Sequence, residues 1–358
     1  MSLKYITTDA DLIDIADAIR SKTGASTSLT FPTEFISSIG SITNDSWQYE
    51  DNRVFTTNIT QNILISGTYS YISSYAFYGM ANDTKSLTID LTQCKYLGDY
   101  ALYQVKLNLT STNNALSLPL CEYVGASNFE NGDSLYTKPT DGVFLPECSV
   151  IGTGAFYSNK QVYNVSIPKC EHIMSSAFYN CANLSSLYVT SSLSQIDYNA
   201  FNHTSLSAIN FDWDINIGSR AFSSCSYLTS VNLPSCSILD EQVFAGCTRL
   251  LNVSVPNCNS LGTWAFSSCY SLGSLSLPKC SYIGSSAFAK CTRLIMLYLL
   301  STSLCTLKHS NAFTSTPIGG YTTSAGGTYG SIFVPASLFN SYKTATNWAY
   351  FSSRFVSV

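Results

Sequence analysis

Apolar residues recur along this chain with two superimposed periods. In Leu275-Ser276-Leu277 they alternate with a polar residue, the period of a strand with one buried face. Over a longer range a whole phrase returns: L-x-x-L-x-L-P-x-C-x-x-I-G-x-x-A-F-x-x-C. One copy runs from Leu272 through Pro278, Cys280, Ile283 and Gly284 to Ala287, Phe288 and Cys291. Others run from Leu250 to Cys258 with Ala265-Phe266, and from Leu228 to Cys236 with Val243-Phe244. Phe156, Phe178, Phe201, Phe222, Phe244, Phe266 and Phe288 fall 21 to 23 residues apart, and Phe77, Leu102, Phe129 and Phe313 extend the series at spacings of 25 to 27.

Each part of the phrase predicts a piece of structure. Leu275 and Leu277 point one way from a short strand and Ser276 the other. Pro278 lacks an N–H and ends the strand's pairing. Gly284 is expected to permit a tight bend, and Ile283, Ala287 and Phe288 return the chain across the opposite wall. One unit cannot bury its apolar stripe alone, whereas stacked units can. The expectation is an α/β solenoid of about eleven repeats of roughly 22 residues over 59–318, with a parallel sheet on one side and short helices or turns on the other.

The phrase resembles the BspA-like leucine-rich repeat, whose recognisable core is Ile-Gly-x-x-Ala-Phe-x-x-Cys. The resemblance implies a right-handed solenoid with the sheet on its concave face, in a family of mostly bacterial surface or secreted proteins linked to adhesion. The ends differ from the repeat. Thr8-Asp-Ala-Asp11 resembles a capping box, Leu12, Ile15, Ala16 and Ile19 follow at helical spacing, and Gly24 is a stop signal. A second short helix is expected around Phe35, Ile36 and Ile39, so residues 1–42 read as a helical hairpin or cap and 43–58 as a linker or capping strand. Residues 16–24 with Leu29-Thr-Phe-Pro32 are similar to N-terminal segments of phage and prophage tail-associated proteins. That implies attachment to a larger assembly through 1–42; a plain hydrophobic cap is the compatible alternative. In the capping segment 319–358, Ile332-Phe-Val-Pro335 reads as a last strand, Ala336 to Trp348 as an amphipathic helix, and Phe351 to Val358 as an apolar finish.

Composition narrows the function. Charged residues are 11% of the chain, so Ser, Thr, Asn and Tyr must supply the polar surface. A net charge of −4 gives no footprint for nucleic acid, and no apolar run is long enough for membrane insertion as a helix. The first thirty residues carry Asp9, Asp11, Asp14 and Asp17 and do not read as a signal peptide, leaving export by another route or loss of a leader. The three histidines, His172, His203 and His309, sit in different repeats, and no phosphate loop, metal motif or nucleophile motif appears. No enzyme, cofactor or metal site is expected.

Recognition across an extended surface remains. The outward middle row of the strands reads Asp90, Ser117, Phe144, Ser166, Tyr188, Asn210, Asn232, Ser254, Ser276 and Tyr298. The repeat Phe211-Asp-Trp-Asp214 departs from L-P-x-C. Tyr163, Tyr188, Asn210, Asp212, Trp213 and Asn232 are therefore the candidate ligand-binding residues; the alternative is that Trp213 covers a gap left by the missing proline. The irregular stretch Ser127 to Asp141 is a second candidate. The expected partner is a protein or glycan on a cell surface, bound either by a phage tail-associated recognition protein or by a bacterial adhesin outside the cell.

The thirteen cysteines form two ladders, seen in the 11-residue steps from Cys225 to Cys291. A small, weakly polar, buried side chain suits both places, and disulfides between adjacent rungs would distort the stack. All thirteen are expected as free thiols. Titration of denatured, unreduced protein should find them all, and a count below about eleven would contradict the reading.

Overall fold

A computed structural model describes residues 63–65, 70–72, 74–78, 87–89, 91–105, 107–108, 116–131, 142–322 and 326–358. The expected hairpin at 1–42 and linker at 43–58 lie outside these. The chain divides into two compact units, one ending at Ser192 and one running Leu193–Val358.

Both units are stacked coils with two parallel ladders. In the first unit the strand wall includes Val143–Phe144, Asn164–Ser166 and Ser186–Tyr188, in register Val143↔Val165↔Leu187. The return side carries a second ladder of two-residue strands: Tyr71–Ile72, Tyr96–Leu97, Tyr123–Val124, Val150–Ile151 and His172–Ile173. In the second unit the wall runs from Ala208–Asn210 through Ser274–Ser276 to Ser331–Val334, and the return ladder from Gln195–Ile196 to Thr306–Leu307. With five return strands in the first unit and six in the second among the described residues, the solenoid has about eleven turns. The return side was expected to hold helices or turns; a Tyr-Ile or Ser-Leu pair is enough for a strand when the coil above repeats it.

The coil geometry comes from the residues around each phenylalanine. Ser286 and Lys290, two before and two after Phe288, have φ of 55° and 63°. The same two positions recur coil after coil, occupied by Ser, Tyr, Arg, Gln, Trp and Asn as well as Gly154 and Gly246. Left-handed backbone costs a non-glycine residue about 1 kcal/mol or more. It is held because it aims the N–H groups. Phe288 and Lys290 donate to Ala312 O and Thr314 O of the next coil at 2.9 and 2.7 Å, while Ala289 and Cys291 donate within the turn to Ser286 O and Phe288 O at 3.0 Å. Every second donor thus links coils.

Phenylalanine rings fill the space these turns enclose. Phe129, Phe156 and Phe178 stack at 5.0 and 5.1 Å in the first unit. Phe201, Phe222, Phe244, Phe266, Phe288 and Phe313 stack at 5.4 to 5.9 Å in the second. All are fully buried, and each aromatic pair adds about 0.5–1.5 kcal/mol beyond its area. Gly284 is not a left-handed bend. A Cβ there would lie 2.6 Å from the Gly262 carbonyl carbon, so glycine is needed because two coils meet backbone to backbone.

The C-terminal segment differs from expectation. The α-helix covers only Phe339–Thr344. Ala345 is extended and Asn347 has φ 64°, so Trp348 begins a separate 3-10 segment, Trp348–Arg354. Ser331–Val334 is not the last strand, because Phe355–Ser357 pairs with it in parallel. The break lets Trp348 and Phe351 turn inward over Phe313, with Tyr342 and Phe355 packed against Trp348 and Trp348 Nε1 donating to Cys305 O at 2.7 Å.

The thirteen cysteines are free and buried. In one ladder each thiol from Cys94 to Cys280 donates two residues along its own coil, as Cys280 Sγ does to Tyr282 O at 3.3 Å, while Cys305 lies one residue nearer its strand and donates to Thr306 O at 3.8 Å. In the other it reaches the previous coil: Cys247, Cys269 and Cys291 donate to the carbonyls of Phe222, Phe244 and Phe266 at 3.0–3.2 Å. Asn159 Nδ2 takes the same acceptor, Phe129 O, at 2.8 Å. Burial pushes Cys148, Cys170 and Cys258 up to about 12 and Cys225 up to about 11. Unfolded thiols ionise from about pH 8.5, so above that pH the unfolded state loses protons the folded state keeps. Their stabilisation is complete below about pH 8.5 and is lost as pH rises towards 12, at up to about 1.4 kcal/mol per thiol per pH unit. The urea midpoint should therefore be lower at pH 10 than at pH 7.5; equal midpoints would show that the thiols do not couple to folding.

Candidate functional site

Three-residue strands of the wall, such as Asn164–Ser166 and Ala208–Asn210, turn both end residues outward around a buried centre, and the chemistry of the middle row differs between units. In the first unit Phe144, Ser166 and Tyr188 are direct neighbours in register. Phe144 is 41% and Tyr188 59% exposed, and the small Ser166 lies between them. Rungs are about 4.8 Å apart, so the rings leave the backbone about 10 Å from one another with a one-rung notch between. Tyr163 stands at the corner leading into this wall, half-buried, its carbonyl accepting the N–H of Ser185 at 2.9 Å and its hydroxyl 3.5 Å from Asn183 Nδ2. Of the predicted site residues, the first unit thus holds Tyr163 and Tyr188. Phe144 belongs with them; its place in the middle row was the available signal.

The second unit holds Asn210, Asp212, Trp213 and Asn232. Asn232 Nδ2 donates to Asn210 Oδ1 at 2.7 Å, an amide rung on the outward row. Asp212 is exposed. Trp213 is half-buried, packs on Phe211 at 5.3 Å and donates its indole N–H to Leu193 O at 2.7 Å. That donor is already engaged by the coil itself. Asp214 stands where the next coil has Cys236, in the same register. An aspartate cannot take the buried thiol's place, and a groove of about 340 Å³ opens there, lined by Ser194, Asp214, Asn216, Cys236 and Ile238 among others.

The second sequence candidate is partly accounted for. Residues 127–131 form a regular phenylalanine turn, and 132–141 lie outside the described residues. Asn128 is buried and structural: Nδ2 donates to Gly98 O at 2.8 Å and Gly125 O at 3.0 Å, and Oδ1 accepts the Leu102 N–H at 3.0 Å.

Sequence reasoning passed over the tyrosines of the first coils. Tyr71, Tyr96 and Tyr123 stack at 4.5 and 4.6 Å along the return ladder, and Tyr75–Tyr100 and Tyr78–Tyr103 at 5.2 and 5.0 Å along the turns. Their spacing matches that of the anchors Phe77, Leu102 and Phe129, which would have revealed them. Burial, then the nearby Asp99 carboxylate, pushes Tyr123 up to about 12.

Among the described residues the three histidines stand in different surroundings. His309 Nδ1 accepts the Asn311 N–H at 3.0 Å as a cap, His203 Nδ1 bonds Asn202 Oδ1, and His172 lies on the return ladder. Among the described residues no three His, Cys, Asp or Glu side chains gather as a metal-binding group. Nor is any helix among them long and apolar enough to cross a membrane.

The model of the BspA type leucine-rich repeat region matches in 6 copies, over residues 21–138, 149–256 and 215–329. None of the curated proteins compared with the chain matches it. Among solved structures, a leucine rich cell surface protein from Faecalibacterium prausnitzii is 17% identical, with 84% of this chain and 92% of that one covered and a TM-score of 0.43. A leucine-rich repeat protein from Bacteroides ovatus is 18% identical, with 81% and 88% covered and a TM-score of 0.36. One from Eubacterium ventriosum is 17% identical, with 71% and 82% covered and a TM-score of 0.42.

Trp213→Phe keeps the ring on Phe211 but removes the indole donor, so stability should fall by about 1 kcal/mol in urea denaturation. An unchanged midpoint would mean that the bond to Leu193 O contributes nothing to folding.

Proposed function

Because this chain belongs to the BspA-type leucine-rich repeat family, we propose that it is a non-enzymatic recognition protein of the adhesion type. In this reading it acts outside the cell and binds a protein or glycan on a cell surface through the outward row of its strand wall. One observation carries the reading: Phe144 and Tyr188 stand exposed on either side of Ser166. A coil of this kind has no folding reason to hold two large rings out at alternate rungs, one on each side of Ser166. A sugar ring or a peptide side chain entering the notch would cover both and displace their hydration. Tyrosine brings contact area at little entropic cost, and the surrounding serines and asparagines supply adaptable hydrogen bonds.

Two settings suit such a protein. The resemblance of residues 16–32 to tail-associated proteins favours host recognition by a phage, with 1–42 as the attachment segment. A bacterial surface or secreted adhesin is the other, and the genes beside the coding sequence separate the two.

Saturable binding of the purified protein to whole bacterial cells, followed by a glycan array, tests the proposal. Tyr188→Ala and Phe144→Ala should each weaken binding about ten-fold, the cost of one well-packed aromatic contact. Trp213→Phe should leave binding unchanged if Trp213 serves the coil, and weaken it if the patch from Asn210 to Asn232 takes part. No saturable binding by the wild-type protein would overturn the proposal.

A further inference from the structure

The net charge of −4 conceals a division along the chain. All 22 Asp and Glu lie at or before Glu241, and 7 of the 18 Lys and Arg follow it. Residues 1–241 therefore carry a formal −11 and the last 117 residues a formal +7, the terminal carboxylate aside. The surface formed after Glu241 has no side-chain carboxylate of its own to neutralise its cations.

Three of these cations share one corner of the second unit with two tyrosines and a leucine. The N–H groups of Leu228, Leu250, Leu272 and Leu294 donate to the carbonyls of Cys225, Cys247, Cys269 and Cys291 at 3.0–3.1 Å. Tyr227, Arg249, Ser271 and Arg293 thus occupy one position in four consecutive coils. Arg249 and Arg293 are exposed, and Arg249 Cζ lies 4.7 Å from the Tyr227 ring centroid. Lys290 is exposed on the turn leading to Arg293, its backbone fixed by φ 63° and the 2.7 Å bond to Thr314 O. Tyr270 and Leu251, also exposed, lie between the arginines' coils and in Arg249's own. At about 4.8 Å per rung, the two arginines leave the backbone about 10 Å apart.

We propose that this corner binds an acidic glycan, a carbohydrate bearing sulfate or carboxylate groups. The reading rests on the recognition function proposed above and adds a ligand class and a place distinct from the Phe144–Tyr188 notch. A guanidinium stacked on a ring keeps its N–H fork for the oxygens of a sulfate or carboxylate. Tyr227, Tyr270 and Leu251 offer apolar surface to the C–H faces of the sugar, and Ser271 and Asn252 offer partners to its hydroxyls. Three cations on one edge are few against duplex DNA, which presents one charge per about 1.7 Å. The ring-flanked spacing suits a chain with sparser charges and apolar faces between them.

The test uses the whole protein and a fluorescent heparin oligosaccharide, with neutral dextran oligosaccharide, an oligo-dT strand and light scattering as comparisons. The triple variant R249A/K290A/R293A should weaken heparin binding about ten-fold or more. The control K279A/K308A/K343A removes equal charge elsewhere and should change it less than about two-fold. Tyr227→Ala should also weaken it, which simple ion exchange would not produce, and neutral dextran should not bind. Equal losses in both triple variants, tighter binding of oligo-dT, or no heparin binding would each overturn the proposal. So would a low-salt dimer abolished by R249A/K290A/R293A, which would assign the corner to the acidic part of a second copy. Cell binding that survives the triple variant but is lost in Tyr188→Ala would overturn the acidic-glycan site alone; the converse would overturn the notch alone.

Discussion

Parallel coils hold together only if each coil turns a set of N–H groups towards carbonyls one coil away. In this protein the demand is heaviest at the phenylalanine turn, where an ordinary right-handed turn would spend its donors locally. The left-handed residues on either side of each phenylalanine meet it, at a conformational cost repeated in nearly every coil. What offsets that cost is the buried ring stack the same turns enclose, together with the thiols that satisfy the phenylalanine carbonyls. Remove the inter-coil bonds and neither the ladders nor the outward rows keep their register.

This dependence explains what could be read from the chain. Period, wall strands and both cysteine ladders were legible because each is a residue type recurring at a fixed interval. The left-handed pair was not, because Ser286, Arg220, Trp264 and Lys290 carry none of the glycine or asparagine signal that usually marks such backbone. Gly284 was legible as special but for another reason than the bend expected of it: the Gly262 backbone leaves no room for a Cβ. The return ladder was missed because two residues are too few for any periodic pattern. At the C-terminus, amphipathic spacing from Ala336 to Trp348 suggested one helix, yet burial of Trp348 and Phe351 against the last ring required a break at Ala345.

The outward row of the wall was legible in outline. Register places Tyr188 outward, as alternation predicts, and the departure at Phe211-Asp-Trp-Asp214 does mark an irregular coil. Trp213, however, spends its donor on Leu193 O, so the most conspicuous residue of the patch has work inside the fold. Phe144 looked ordinary in sequence and becomes notable only when Ser166 is seen beside it on the wall. Charge misled by averaging: −4 over the whole chain says little about a surface whose last 117 residues contain no acid.

The buried thiols carry a consequence for where such a chain can persist. Oxidation proceeds through the thiolate, and these groups are both shielded from solvent and, in most cases, held protonated well beyond neutral pH. Cys280 and Cys305, 3.8 Å apart at sulfur, stand well beyond the bond length of a bridge, and closing it would remove the thiol donors that bond Tyr282 O and Thr306 O. A folded coil stack of this kind therefore resists scrambling by oxidants without depending on a disulfide-forming pathway. The vulnerable moment is the unfolded chain, before the coils close over their sulfur.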